Sequence, residues 1–361
     1  MVNFTLTDNI SIAYSNFSSG QMHYIKVVTV LMYSLVIFVA VGGNLAVCYI
    51  ILSSRKMRTV TNFFLLNLAF SDVVKAVICC PFTFVSNFIL MYWPFGTIMC
   101  PLVTYMQIVV VLLCAFTLVA MSLDKYMAIV YPLKPKLSRR HAKYIISVTW
   151  ILAFILPVPT AVTSTIYYSN ITDHPSAMGQ CLEQWNYPAQ KYIYSIVVML
   201  LQYFVPLLVL LVTNARIGYI VWIKKTPGEA VEGRDQRMAA SKRRLVKMII
   251  IVVTIYAVCW LPLHVLTLIG DQNPDIFDAP YMMYVWMSAH WLAMSHSCYN
   301  PFVYFWINPN FRQGIKRIFY LCTFANSRNN SYKMSNYGEY SSHQSSAKKT
   351  NSSNLNIKYS L

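Results

Sequence analysis

Residues Ile98–Val130 read IMCPLVTYMQIVVVLLCAFTLVAMSLDKYMAIV, with no charged residue between Cys100 and Ser122. The first charges come at the far end, where Asp124 and Lys125 precede Tyr126. A helix rising ~1.5 Å per residue needs about 20 mainly apolar residues to cross a bilayer core ~30 Å thick. This stretch is longer than that, so it tilts or projects beyond the membrane. Its apolar residues form one long run instead of alternating with polar ones, as they would in a water-soluble domain.

Six further stretches have the same character: Val27–Leu52, Val60–Ser86, Tyr144–Ser164, Tyr192–Trp222, Leu245–Ile269 and Tyr281–Ile307. The expected fold class is therefore all-α, a bundle of seven transmembrane helices. Composition agrees. Of 361 residues, 57% are hydrophobic, 15% aromatic and only 11% charged, against about a quarter charged in ordinary soluble domains. The net charge of +17 would suit a nucleic-acid-binding protein, but here Lys and Arg sit between apolar stretches, which excludes nucleic acid as the partner. The first 24 residues lack the basic-then-apolar pattern of a cleaved signal peptide, so the first span is expected to act as signal anchor.

The basic residues orient the chain. Arg55, Lys56 and Arg58 follow the first span, Lys134 to Lys143 the third, and Lys224 to Lys247 precede the sixth. With the segment after the seventh span they hold 24 of the 29 Lys and Arg. By the positive-inside rule that side is cytoplasmic. The amino terminus is then outside and the molecule a multi-pass protein of the plasma membrane. Sequons at Asn3, Asn9, Asn16 and Asn170 all fall outside, as glycosylation requires. Of nine cysteines, six lie within spans as small apolar packing residues. Cys100 and Cys181 lie toward the oxidising side and are expected to form a disulfide. No His or Cys spacing suggests a metal site, and no cofactor is implied. The chain divides into residues 1–26, a glycosylated outer segment; 27–307, the seven spans; 308–321, a short amphipathic helix; and 322–361, a disordered cytoplasmic tail.

Motifs in the spans carry a specific resemblance. They are Gly43-Asn44, Asn67-Leu68-Ala69-Phe70-Ser71-Asp72, Cys100, Asp124-Lys125-Tyr126, Trp150, Pro206, Cys259-Trp260-Leu261-Pro262 and Asn300-Pro301-Phe302-Val303-Tyr304. In this order they resemble the rhodopsin-like G-protein-coupled receptors across nearly the whole chain. Gln107, where amine receptors have an aspartate, argues against an amine ligand. The seventh span has no lysine for a retinal Schiff base. Gln107, Gln202, Asp271 and His290 resemble instead the receptors for neuropeptide Y, RYamide and neuropeptide F. Cys181-Leu182-Glu183-Gln184-Trp185 is a pattern common to peptide receptors.

The resemblance implies a ligand ending in Arg-aromatic-amide. Asp271 would pair with the arginine, because a carboxylate matches the guanidinium fork. Gln107, Gln202 and His290 would hydrogen-bond the amidated end, and Trp260 would form an apolar floor. Glu183 belongs to the same outer mouth, which is formally −4 from Asp8, Asp173, Glu183, Asp271, Asp275 and Asp278 against Lys26 and Lys191. Such a mouth attracts a basic peptide. The alternative for Asp271 is a solvated loop charge.

Signalling in this family opens an inner cleft for a heterotrimeric G protein, a population shift between two packings. The residues implied are Asp72, Asp124, Lys125, Tyr126, Asn300, Pro301 and Tyr304. Lys125 stands where nearly all relatives have arginine, and the two are not interchangeable. A peptide-binding decoy, or a weakly coupled receptor, is therefore the rival expectation. Asn214, Tyr256 and Cys114 also depart from the family pattern. Lys75 follows Asp72 by three residues on one helix face. The pair is expected to replace the sodium ion that many relatives bind with Asp72, Ser297 and Asn300; the alternative is a lysine partnered by backbone or water. The basic inner loop suits G protein and anionic membrane lipid. Cys322 is a palmitoylation candidate, and tail serines are candidate sites for arrestin recruitment, the alternative being a plain polar tail. No internal repeat suggests a transporter, and no nucleophile–base or metal set suggests an enzyme.

Overall fold

A computed structural model describes residues 4–168, 179–223, 232–279 and 281–320, with the side chains of residues 4–23 among those left undescribed. Its main elements are the helices α1 (Phe4–Ser53), α2 (Val60–Leu90), α3 (Met99–Val130) and α4 (Arg139–Thr163). The strands β1 (Ser164–Tyr167) and β2 (Gln180–Glu183) follow. Helices α5 (Pro188–Trp222), α6 (Glu232–Gln272) and α7 (Met282–Ile307) complete the bundle.

Six of these helices are long and apolar enough to cross a membrane, beginning with Tyr24–Ser53 of α1. Helix α7 falls outside that group. It carries His290, Ser295, His296, Ser297 and Asn300, all buried. Its polar side faces protein, so it does not need the hydropathy of a lipid-bathed helix. The outward-facing surfaces of the other helices are apolar, as Phe38, Val162 and Leu208 illustrate. The molecule is a multi-pass membrane protein. α3 is its central helix, buried at most positions from Val109 to Ser122, whereas Ile151, Leu152, Phe154 and Ile155 of α4 are exposed.

Two helix starts follow from capping. Thr59 Oγ1 accepts from Asn62 N at 3.3 Å, opening α2. Ser138 Oγ accepts from His141 N at 3.3 Å, so α4 begins at Arg139 and not at Tyr144 as hydropathy alone suggests. A capping hydroxyl satisfies an amide that has no intrahelical partner, and this outweighs the polar character of the first turn. α1 likewise extends back to Phe4 instead of beginning at Val27.

Polar side chains tie the helices together. Asn67 donates to Thr117 on α3 and accepts from Trp150 Nε1 on α4, both at 2.8 Å. Proline removes the amide that would bond the carbonyl four residues earlier. For Pro301 that carbonyl belongs to Ser297, and Asn44 Nδ2 of α1 donates to it at 2.9 Å. For Pro206 it belongs to Gln202, and the Tyr256 hydroxyl of α6 donates to it. Gly43 lets α1 approach α7, since a Cβ there would lie 3.0 Å from Pro301 Cγ.

Residues from Pro309 onward form a separate unit. Residues 309–320 are helical, with Arg312, Lys316, Arg317 and Phe319 exposed.

Candidate functional site

The expected disulfide is present, joining Cys100 of α3 to Cys181 of β2 with Cα atoms 5.6 Å apart. It holds the antiparallel pair β1–β2, in which Ile166 faces Cys181, at one end of the bundle. Trp93 N donates to Gly179 O at 2.8 Å and fixes the same hairpin from the α2–α3 connection.

Beneath this hairpin a cavity of ≈ 430 Å³ enters the bundle, lined from α2, α3, β2, α5, α6 and α7. Gln107, Glu183, Gln202, Trp260, Asp271 and His290 all line it. Residues that are far apart in sequence thus share one wall. Gln107 Nε2 donates to the Thr83 hydroxyl of α2. His290 Nδ1 lies 2.8 Å from the Tyr33 hydroxyl of α1, and its ring stacks on Trp286 at 5.0 Å. Glu183 Oε2 accepts from Trp185 Nε1 at 2.9 Å.

Asp271 is half engaged. Its Oδ1 lies 3.1 Å from Lys191 Nζ, with the carboxylate side chain 8% exposed and the lysine 43%. Oδ2 is buried with no hydrogen-bond partner. Gln202 Oε1, Trp260 Nε1 and His264 Nε2 are also buried and unpartnered, and all three residues line the cavity. A concave site lined with a few unsatisfied polar groups is what a ligand pocket requires. Unmet polar atoms become favourable contacts once a ligand supplies partners.

Thr83, Lys191 and His264 join this wall although sequence reading gave them no site role. His264 had a signal: it lies four residues after Trp260, on one helix face, and the two rings stack at 5.7 Å. Lys191 had only its sign.

At the floor of the cavity, Lys75 and the Asp72 behind it are both buried, with Oδ1 to Nζ 3.1 Å. Ser297 Oγ donates to Asp72 Oδ1 and Asn300 Nδ2 to Oδ2, each at 2.8 Å. Lys75 Nζ lies 5.4 Å from the Trp260 ring centre. At the other end of α3, Lys125 Nζ lies 2.7 Å from Asp124 Oδ2 and donates to the Thr61 hydroxyl. Tyr126 stacks edge-on against Tyr131 at 6.1 Å. Asn214 Nδ2 donates to Leu210 O at 2.7 Å, and Tyr304 is fully buried.

Asn3, Asn170, Asp173 and Cys322 lie outside the described residues, as do the side chains of Asp8, Asn9, Asn16 and Asp278. Among the described residues no group of His, Cys, Asp or Glu is arranged to hold a metal ion.

Residues 43–304 match the family described as 7 transmembrane receptor (rhodopsin family). The chain is 45% identical over 294 residues to the RYamide receptor of Tribolium castaneum, covering 80% of this chain and 79% of that one. It is 42% identical over 319 residues to the RYamide receptor of Drosophila melanogaster, covering 88% and 68%. It is 37% identical over 298 residues to the Substance-P receptor of Homo sapiens, covering 81% and 70%.

Proposed function

The chain belongs to the rhodopsin family of seven-transmembrane receptors, which are not enzymes, and from that membership we propose that it is a receptor for a basic, C-terminally amidated neuropeptide of the RYamide type. Two of the relatives carry RYamide in their names, and the peptide class comes from them. The observation that carries the finer reading is Asp271, a mostly buried carboxylate with one oxygen unpaired at the wall of the cavity. A guanidinium supplies two parallel N–H donors, so a ligand arginine satisfies both carboxylate oxygens where Lys191 satisfies one. Gln107, Gln202 and His290 give neutral hydrogen-bonding partners to a neutral carboxamide, and Trp260 gives an apolar surface beside them.

The chain then lies in the plasma membrane with the hairpin and the glycosylated amino terminus outside. Peptide contact near Trp260 shifts α6 relative to α7 and opens the Asp124–Lys125 end to a heterotrimeric G protein. The basic residues from Lys224 to Lys247, most of them in the first part of α6, the helix at 309–320 and Cys322 serve the inner membrane surface, and the tail serves arrestin. The test is surface expression challenged with synthetic peptides ending in Arg-aromatic-amide, with binding and G-protein activation read separately. Saturable binding of the amidated forms with activation is the expected result; no binding to any of them overturns the reading.

A second reading, a decoy that binds without coupling, is favoured by one feature. Lys125 satisfies Asp124 and Thr61 together but lacks the planar fork that would engage several new partners after a rearrangement. Binding without activation in the same experiment supports it.

A further inference from the structure

The cavity floor holds a charge that the peptide reading has not used. Lys75 is part of the lining, yet it is 1% exposed. Its Nζ lies 3.1 Å from Asp72 Oδ1, which takes one N–H at most, and no other acceptor reaches it among the described residues. On its other side lies the face of Trp260, which offers attraction but no lone pair. An ammonium has three N–H donors, and leaving them unmet in a buried place is costly. Asp72, by contrast, is well supplied: Ser297 and Asn300 each donate to it at 2.8 Å. The pair is thus a dipole. Its negative end is satisfied inside the bundle, and its positive end stands at the cavity with donor capacity to spare.

We propose that Lys75 is a ligand-contacting residue, whose ammonium receives a neutral carbonyl oxygen at the buried end of the ligand. Resting on the peptide reading above, that oxygen is the terminal carboxamide oxygen of the amidated peptide. Neutrality follows from Asp72. A carboxylate in the same place would meet the lysine and the aspartate behind it together, and at low dielectric the second charge offsets the first. A carboxamide gains the hydrogen bond without that repulsion. Asp271 then selects the basic side chain at one level of the cavity, and the Asp72–Lys75 pair selects an amide over an acid at another.

The test is equilibrium binding to the full-length receptor in membranes. Three probes are used: a synthetic peptide ending in Arg-Tyr-amide, its free-acid form, and an analogue with hydrogen in place of the terminal carboxamide. Lys75→Met is expected to weaken the amide at least about tenfold, as for a lost hydrogen bond to a charged group, while the hydrogen analogue shifts less than about twofold. Asp72→Asn, which leaves the ammonium unopposed, is expected to narrow the amide-over-acid preference about tenfold or more. Equal losses for amide and hydrogen analogue in Lys75→Met mean a purely structural lysine and overturn the proposal. An unchanged amide-to-acid ratio in Asp72→Asn does the same, and it decides the matter if Lys75→Met fails to reach the surface. If the unaltered receptor does not bind the amide at all, the peptide reading falls and this inference falls with it.

Discussion

Lys191 Nζ and Asp271 Oδ1 lie 3.1 Å apart across the mouth of the cavity, so the carboxylate expected to take a ligand arginine already has a resident cation. The lysine is nearly half exposed and holds one oxygen only. Displacing it releases a pair worth little, since exposed ion pairs contribute about 0.2–1 kcal/mol.

Removing that competitor is expected to help a basic peptide. Lys191→Ala should tighten binding of an Arg-containing amidated peptide about two- to fivefold, the range set by an exposed pair. Asp271→Ala should weaken it by ~2 kcal/mol or more, as for a desolvated charged contact. In the double variant the gain from Lys191→Ala should vanish, because the two residues act through one carboxylate. Competition binding on intact cells measures all three; a gain that survives in the double variant removes Lys191 from the peptide site.

Tyr256→Phe is expected to destabilise the receptor without touching the cavity wall. The lost hydroxyl is the donor to Gln202 O, a carbonyl that Pro206 deprives of its i+4 amide. Stranding a buried acceptor costs about 1–3 kcal/mol. The half-inactivation temperature of the detergent-solubilised receptor should fall accordingly, and an unchanged temperature would mean that the carbonyl has another donor.

Sodium is expected to leave agonist affinity alone. With Lys75, Ser297 and Asn300 all around Asp72, the carboxylate has its counter-charge attached to the same helix. Agonist affinity measured in sodium chloride and in choline chloride should agree within about twofold, since a mobile cation gains little beside a tethered one. Lys75→Leu should create a sodium dependence where there was none. A sodium effect in the unaltered receptor contradicts the pairing role.

Lys125→Arg is expected to raise the G protein activated per bound peptide at least about twofold, because the guanidinium presents five donors where the ammonium presents three. Peptide binding and G-protein activation on the same membranes measure this ratio. An unchanged ratio would place any weakness of coupling elsewhere, with Asn214 the next residue to examine.

Much of the architecture could be read from the chain. Long apolar runs marked the spans, and the expected pairing of Cys100 with Cys181 proved to be the disulfide. The spacing of Asp72 and Lys75 also sufficed, because i and i+3 share a helix face. Contacts between helices were less legible. Tyr33 meets His290 across 257 residues, and Tyr256 meets the carbonyl of Gln202 across 54. No periodicity encodes such pairings; they depend on how neighbouring helices are rotated. Hydropathy also misplaced the start of α4, where a capping serine decides. The candidate ligand residues were found singly by resemblance, whereas Lys191, Thr83 and His264 emerged only when the cavity assembled them.

The polar interior of α7 bears on how the chain is built. A helix bearing His290, Ser297 and Asn300 would strand several unsatisfied groups in lipid if it entered the bilayer alone. Its partners are contributed by earlier segments: Tyr33 for His290, Asn44 for the backbone of Ser297 and Asp72 for Asn300. Synthesis from the amino terminus delivers all three before α7 leaves the ribosome. The last span is therefore a guest of the first two during biogenesis, and damage to Tyr33, Asn44 or Asp72 surfaces as a failure to retain a helix more than two hundred residues away.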